Sequence, residues 1–114
     1  MKLEEQTCST NIGATPLSGR QVDGLLAQVT GWSLSGREIR REFRLKDFRQ
    51  AMELVNAVAS LADEQGHHPD IHISYSRVTL VLTTHSIGGL SMNDFILAAR
   101  INLLPNIVMT GKAA

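Results

Sequence analysis

The chain has 114 residues, of which 43% are hydrophobic and 19% are charged, a size and composition typical of one soluble globular domain. Eleven Lys and Arg residues balance eleven Asp and Glu residues, so the formal net charge is zero. Nucleic-acid binding needs clustered positive charge, and the one basic run, residues 37–49, is interleaved with acids. We therefore expect a salt-bridged surface there and no direct contact with nucleic acid.

Cys8 is the only cysteine, so no intrachain disulfide can form. The first ten residues are polar and lack the apolar segment of a secretory signal. No run approaches the roughly 18 apolar residues of a membrane-spanning helix. These features predict no membrane association and are typical of a protein in a reducing cytoplasm.

The first elements follow a polar segment. Residues 1–16 show no periodicity, which predicts a flexible N-terminal tail before a domain over residues 17–114. Ser18 and Gln21 form a capping-box pattern, and apolar residues then recur at helical spacing. We therefore predict a first helix over about residues 19–29.

Two strands are predicted next. Residues 31–36 alternate in polarity and are punctuated by glycine, as in a strand that ends in a turn. The following segment places Ile39, Arg41, Phe43 and Leu45 on one face and charged residues on the other. A period of two over this length predicts a strand with a largely apolar face and a wet face.

A long amphipathic helix is predicted to begin after Asp47 and to end at Gly66. Its apolar residues cover about half of the circumference, more than the roughly 100° that one sheet contact needs. One explanation is a deeply seated helix. The other is that Leu54, Val58 and Leu61 form a second stripe that contacts another subunit, which predicts a homodimer or homotetramer.

Alternation over residues 71–75 and 78–85 predicts two further strands, joined by a two-residue turn at Ser76 and Arg77. After a glycine break, Ser91 begins a final helix that runs to about residue 105.

The order helix, strand, strand, helix, strand, strand, helix predicts an α+β fold. Hairpins separated by helices favour a four-stranded antiparallel sheet covered on one face by helices.

All four histidines lie between residues 67 and 85. His67 and His68 precede Pro69, which disfavours helical backbone at the residue before it, so both rings are expected on an extended loop. His85 is predicted at the end of the fourth strand. Histidine exchanges protons near neutral pH because its ordinary pKa is about 6.5, so the set predicts a generic acid–base site.

Structural explanations exist for neighbouring residues. His72 alternates with apolar residues and is expected on the wet face of its strand. Asp94 stands three residues after Ser91, and this local pattern favours a helix cap. Asp63 lies late in a helix, where a carboxylate exposed to solvent is the default interpretation. We expect no metal, because the histidine spacing fits no familiar zinc pattern, and no serine or cysteine nucleophile.

The spacing of the polar residues resembles that of the pterin-4a-carbinolamine dehydratase family. The matching positions are Asp63, His67, His68, Pro69, Tyr75, His85 and Asp94. The likeness runs over about residues 17–104, and the full spaced set is much more specific than a lone histidine pair.

The resemblance implies dehydration of 4a-hydroxytetrahydropterin to quinonoid dihydropterin, in support of tetrahydrobiopterin recycling and without metal or organic cofactor. It implies that His67 and His85 act on the hydroxyl group, while His68 binds the pterin and assists at the ring nitrogen. It also implies that Asp94 and Asp63 orient the imidazole rings.

The resemblance further implies that Pro69, Tyr75 and Thr84 contact the substrate. Better-known animal members carry an acidic residue in place of Gly66, tryptophan in place of Ile71 and arginine in place of Asn93, and these departures bear on rate and substrate range. Two alternatives stay open: a non-catalytic pterin-binding, dimerisation or coactivator module of this fold, and an enzyme for another pterin, such as one of molybdenum-cofactor metabolism.

Overall fold

The computed structural model describes residues 2–105. The elements, in chain order, are a 3-10 turn at Leu3–Glu5, α1 at Gly19–Leu26, β1 at Ser33–Ser35, β2 at Glu38–Arg44, α2 at Phe48–Gln65, β3 at Asp70–Ser74, β4 at Arg77–Leu82, a 3-10 turn at His85–Ile87 and α3 at Met92–Ile101. The strands form one antiparallel sheet in the order β1-β2-β4-β3. The predicted α+β fold is confirmed, while residues 106–114 of the predicted domain lie outside the described residues.

The two faces of the sheet differ as the alternation predicts. Ile39 and Phe43 of β2 are fully buried, whereas the intervening Arg40 and the last residue, Arg44, are exposed. The neighbouring strand has its buried residues on the same face, because the buried Ile39 pairs with the buried Leu82 of β4. The core therefore lies on one face of the sheet, where the helices pack.

Helix α2 packs against β4 and α3 through a stripe at helical spacing. Ala51, Leu54, Val58 and Ala62 are its buried residues, and Phe48 at the start of the helix is 50% exposed. The deeply seated helix of the first explanation fits this burial. The second explanation is wrong for Leu54 and Val58, since both side chains are enclosed by their own domain.

Three predicted element ends need correction. Helix α3 ends at Ile101, four residues before the predicted end near residue 105. Helix α1 ends at Leu26, three residues before the predicted end, and Val29 is buried in the loop that follows. Strand β4 ends at Leu82, so His85 does not lie in it. Instead, the backbone N–H of Thr84 donates to the carbonyl oxygen of Gly89 at 2.9 Å, which closes a loop that begins with the turn at His85.

The hairpin between β3 and β4 turns one residue earlier than predicted. Ser74 pairs with Arg77, which leaves Tyr75 and Ser76 as the two-residue loop. The Ser76 carbonyl accepts from the Leu45 backbone N–H at 2.8 Å, and Tyr75 adopts a left-handed φ of 53°. Tyr75 is therefore an exposed turn residue, 69% accessible, and not the last residue of the alternation predicted for this strand.

The segment before α1 has defined contacts. Leu3 is 4% exposed, and the 3-10 turn that contains it packs against α3. The backbone N–H of Leu17 donates to the carbonyl oxygen of Leu90 at 2.9 Å, which fixes the entry to the domain. These contacts do not measure motion, so the flexibility of residues 1–16 stays a prediction.

Arg41 is the one charged residue among the inward positions of β2 and is only 8% exposed. Its Nη1 donates to the Thr30 carbonyl oxygen at 3.0 Å and to the side-chain oxygen of Asn102, and its guanidinium lies 4.6 Å from the Phe43 ring centroid. Burial lowers the pKa of Arg41 from its ordinary value. Arg41 therefore joins the loop after α1 to the end of α3.

No helix within residues 2–105 is long and apolar enough to cross a membrane.

Candidate functional site

The site begins where α2 stops. Gly66 has a left-handed φ of 68°, and its backbone N–H donates to the Ala62 carbonyl oxygen at 2.8 Å. This is the glycine C-cap that the sequence predicted, and it turns the chain sharply out of the helix into His67 and His68. The left-handed backbone is thus a conformational reason for glycine at position 66.

His67 reaches inward from this loop. Its Nε2 lies 2.6 Å from Oδ1 of Asp94, the third residue of α3. The His67 side chain is 13% exposed and that of Asp94 is 0% exposed. The structure therefore brings together two predicted site residues that are 27 positions apart in the chain.

The other carboxylate oxygen of Asp94 is also occupied. Oδ2 accepts from the Thr84 hydroxyl at 2.8 Å and from the Ser91 backbone N–H at 2.9 Å. The Ser91 and Thr84 hydroxyls lie 2.8 Å apart, so Ser91 can donate to Thr84 while Thr84 donates to Asp94. Asp94 caps α3, as its local spacing predicted, and pairs with His67 as well.

This network defines what His67 can do chemically. An ionised carboxylate only accepts hydrogen bonds, so Nε2 is the protonated ring nitrogen in the contact with Asp94. The opposite nitrogen, Nδ1, then carries the lone pair of the neutral ring and can accept a proton. A buried carboxylate in this position fixes both the orientation and the tautomer of the imidazole.

His68 makes a second histidine–carboxylate pair, on the surface. Its Nε2 lies 2.9 Å from Oδ1 of Asp63, which is one turn back in α2. The side chains are 61% and 80% exposed, so water screens this pair much more than the pair of His67 and Asp94. Asp63 thus orients His68, although weakly.

His85 lies at the start of the second 3-10 turn and is exposed. It lines a depression of about 260 Å³ together with Arg37, Glu38, Thr83 and Gly88. Within residues 2–105 its ring has no hydrogen-bond partner. It is therefore open to solvent and directly follows Thr84, whose hydroxyl donates to Asp94.

The remaining predicted site residues divide by position. Thr84 is 6% exposed and acts on Asp94 through its hydroxyl. Pro69 directly precedes β3, beside the histidine pair. Tyr75 lies in the turn after β3, whereas His67 lies before the start of this strand. Within a single chain, Tyr75 is therefore not part of the same site as His67.

Sequence reasoning missed two contacts. The capping box of Ser91 and Asp94 was predicted, and the Ser91 backbone N–H donates to Asp94 accordingly, but the contact between the Ser91 and Thr84 hydroxyls was not predicted. Asn93 was noted only as a departure from relatives. Its side chain binds the backbone of Ser9, a contact across 84 positions for which the sequence offers no signal.

The fold and this site define a small α+β protein with a buried histidine–carboxylate pair suited to proton transfer. The family model described as Pterin 4 alpha carbinolamine dehydratase matches residues 15–104. The chain belongs to this family, as the spaced histidine pattern predicted.

Similar proteins agree with this assignment. Relatives from Nitrosospira multiformis, 45% identical over 90% of this chain and 91% of that protein, and from Chloroflexus aurantiacus, 52% identical over 75% and 92%, are named provisionally as pterin-4-alpha-carbinolamine dehydratases. A crystal structure from Brucella melitensis, titled transcriptional coactivator/pterin dehydratase, is 32% identical. It covers 77% of this chain and 96% of its own, with a TM-score of 0.72.

Proposed function

We propose that this protein dehydrates 4a-hydroxytetrahydropterin to quinonoid dihydropterin by histidine acid–base catalysis. The observation that supports this most directly is the 2.6 Å contact between His67 Nε2 and the fully buried carboxylate of Asp94. Such a contact gives the ring one defined proton donor and one defined acceptor. The family and the names of its relatives support the pterin substrate class.

The reaction needs two proton movements and no change in oxidation state. One proton leaves a ring nitrogen of the pterin, and the electron pair forms a carbon–nitrogen double bond. The bond from C4a to the hydroxyl oxygen breaks, and the hydroxyl takes a proton and leaves as water. A base and an acid that work near neutral pH therefore suffice, and imidazole can be either.

We propose for the three rings the roles that the family resemblance implies. His67, held by Asp94, and the exposed His85 act on the departing hydroxyl group. His68, exposed and paired with Asp63, contacts the pterin and assists at the ring nitrogen. Two imidazole rings on separate loops, one of them held by a carboxylate, provide an acid and a base to one small substrate.

The direct test is the decay of 4a-hydroxytetrahydropterin in a stopped-flow spectrometer with the wild type, His67→Ala and His85→Ala. Each variant should be slower by about two orders of magnitude, the usual contribution of a general acid or base. His72→Ala is the matched control, because His72 is a histidine on strand β3 to which we assign no role in catalysis. A wild type no faster than buffer would exclude the dehydratase and favour the non-catalytic module. Wild-type rates in both variants would exclude the residue roles alone.

We also propose that the protein acts in tetrahydrobiopterin recycling in the cytoplasm and forms a homodimer or homotetramer. Three large apolar side chains support self-association because they remain exposed in the single chain. Phe48 is 50%, Ile73 42% and Tyr75 69% exposed. The bond from Leu45 N–H to the Ser76 carbonyl places the start of α2 beside the β3–β4 turn, so these side chains lie at one end of the domain.

A further inference from the structure

Residues 6–9, which we call the N-terminal strap, join the end of α2 to the start of α3. The Cys8 backbone N–H donates to Gln65 Oε1 at 2.9 Å. The Ser9 backbone N–H donates to Asn93 Oδ1 at 2.9 Å, and Asn93 Nδ2 donates back to the Ser9 carbonyl oxygen at 2.7 Å. The Asn93 amide thus binds the strap as a second backbone segment would, through a reciprocal donor and acceptor.

The strap is anchored at its other end as well. The Arg100 guanidinium donates to the Gln6 carbonyl oxygen through Nε at 2.9 Å and through Nη2 at 2.7 Å. Leu3, just before the strap, is 4% exposed against α3. Charged donors on one carbonyl and a buried leucine are strong anchors for so short a segment.

The two residues that receive the strap are close neighbours of the buried pair. Gln65 precedes His67 by two positions, and Asn93 directly precedes Asp94. The Cys8 thiol also lies 3.6 Å from the Asn93 carbonyl oxygen. Its pKa is raised to about 11, mainly by burial, while the Arg100 charge lowers it and the Asp94 charge raises it. The strap is therefore within electrostatic reach of Asp94.

We infer that the strap is a positioning element for the His67–Asp94 pair: it fixes the end of α2 relative to the first turn of α3, and so the 2.6 Å contact between them. The family model begins at residue 15, so the strap lies outside the part of the chain that the family pattern describes. The catalytic consequence rests on the proposed dehydratase function, but the geometric consequence does not.

A double-mutant cycle in the full-length protein tests this inference. Ser9→Pro removes the Ser9 N–H that donates to Asn93, and Asn93→Ala removes the amide that accepts it. Each change should lower kcat about tenfold with less than a twofold change in KM, because misplacement of a catalytic group lowers the rate without removing substrate contacts. The double variant should be no slower than either single variant, since both break the same connection. Ser9→Ala, which keeps the backbone donor, is the matched control.

A second readout does not depend on activity. The Nε2–H proton of His67, shielded and bonded to Asp94, should give a downfield NMR signal that survives exchange with water in the wild type and Ser9→Ala. In Ser9→Pro and Asn93→Ala, well below their melting temperatures, the signal should broaden or disappear. Gln65→Ala, which breaks the strap's bond to α2, should act the same way and provides a test if one of the others fails to fold.

The outcomes separate the two proposals. Multiplicative losses in the double variant, or an unchanged His67 ring-proton signal in all three strap variants, would overturn the positioning role. If the wild type fails to accelerate dehydration, the proposed function fails, and the ring-proton signal alone then decides whether the strap holds the pair.

Discussion

His67 and Asp94 meet at 2.6 Å across the junction of α2 and α3, with Asp94 entirely enclosed. The carboxylate accepts from three groups, and these come from three separate parts of the chain: the loop after α2, the loop after β4 and the cap of α3. No single secondary-structure element could hold such a contact. The folded domain as a whole therefore orients the imidazole of His67.

Asp94→Asn should lower the dehydration rate by about two orders of magnitude. The amide has only one acceptor oxygen, so its NH₂ group must face either His67 Nε2–H or the donors from Thr84 and Ser91. Asp63→Asn is the matched variant, and it should cost less than tenfold, because Asp63 is 80% exposed and screened. Single-turnover rates measure both. Equal losses in the two variants would show that burial of the carboxylate is unimportant.

Thr84→Val should lower the free energy of unfolding by about 1–3 kcal/mol, because at nearly constant volume it removes one of the two hydrogen bonds to the buried Asp94 Oδ2 and also the Thr84 hydroxyl that contacts the Ser91 hydroxyl. Thr83→Val, at the next position, removes a bond to the Arg37 carbonyl oxygen near the surface and should cost less. Urea denaturation of both variants gives the comparison. A larger loss for Thr83→Val would contradict the network around Asp94.

Gly31→Ala should destabilise the fold by about 1–3 kcal/mol. Gly31 has a φ of 89°, and an added Cβ would lie 2.7 Å from the guanidinium of the buried Arg41. Gly24→Ala, inside α1 with open space around it, should instead stabilise by about 0.5–1 kcal/mol. Thermal unfolding reports both signs, and a stabilised Gly31→Ala would rule out the close packing of Arg41.

Cys8 should make stability depend on pH in the alkaline range. Burial raises the pKa of its thiol from 9.0 to about 11, so the folded state holds the proton more tightly than the unfolded state. The full contribution is present below pH 9, and it is lost as the pH rises from about 9 to about 11. The loss should be absent in Cys8→Ala.

The same thiol should be alkylated by iodoacetamide at pH 8 at least about tenfold more slowly in the native protein than in urea, since only the thiolate reacts. Equal rates in the native and unfolded protein would contradict the partial burial of Cys8.

Sedimentation equilibrium should give a mass above that of one chain, and Phe48→Lys or Tyr75→Lys should shift it towards the monomer. Leu103→Lys is the matched control: Leu103 is 61% exposed but follows α3, away from the β3–β4 turn. A monomer mass independent of concentration in the wild type would contradict self-association.

The sequence by itself determined the fold class, most element types and the two caps at Asp47 and Gly66. These depend on local rules: periodicity selects helix or strand, and short polar or glycine signals stop them. Local rules were less reliable at the ends of elements. The turn lies at Tyr75 and Ser76, one residue earlier than predicted, and the Ser76 carbonyl oxygen accepts from Leu45, a residue distant in the chain.

For the site, the sequence indicated histidines and carboxylates at family spacing, but their pairing was decided only by the tertiary structure. Spacing cannot tell that Asp94 is enclosed while Asp63 is exposed, because burial depends on elements that are distant in the chain. Nor could it connect Ser9 with Asn93, since the Asn93 side chain binds only backbone groups of Ser9, which every residue except proline has. The pair at His67 and Asp94 thus has its residue types from the sequence and its geometry from the packing of α2, α3 and the N-terminal strap.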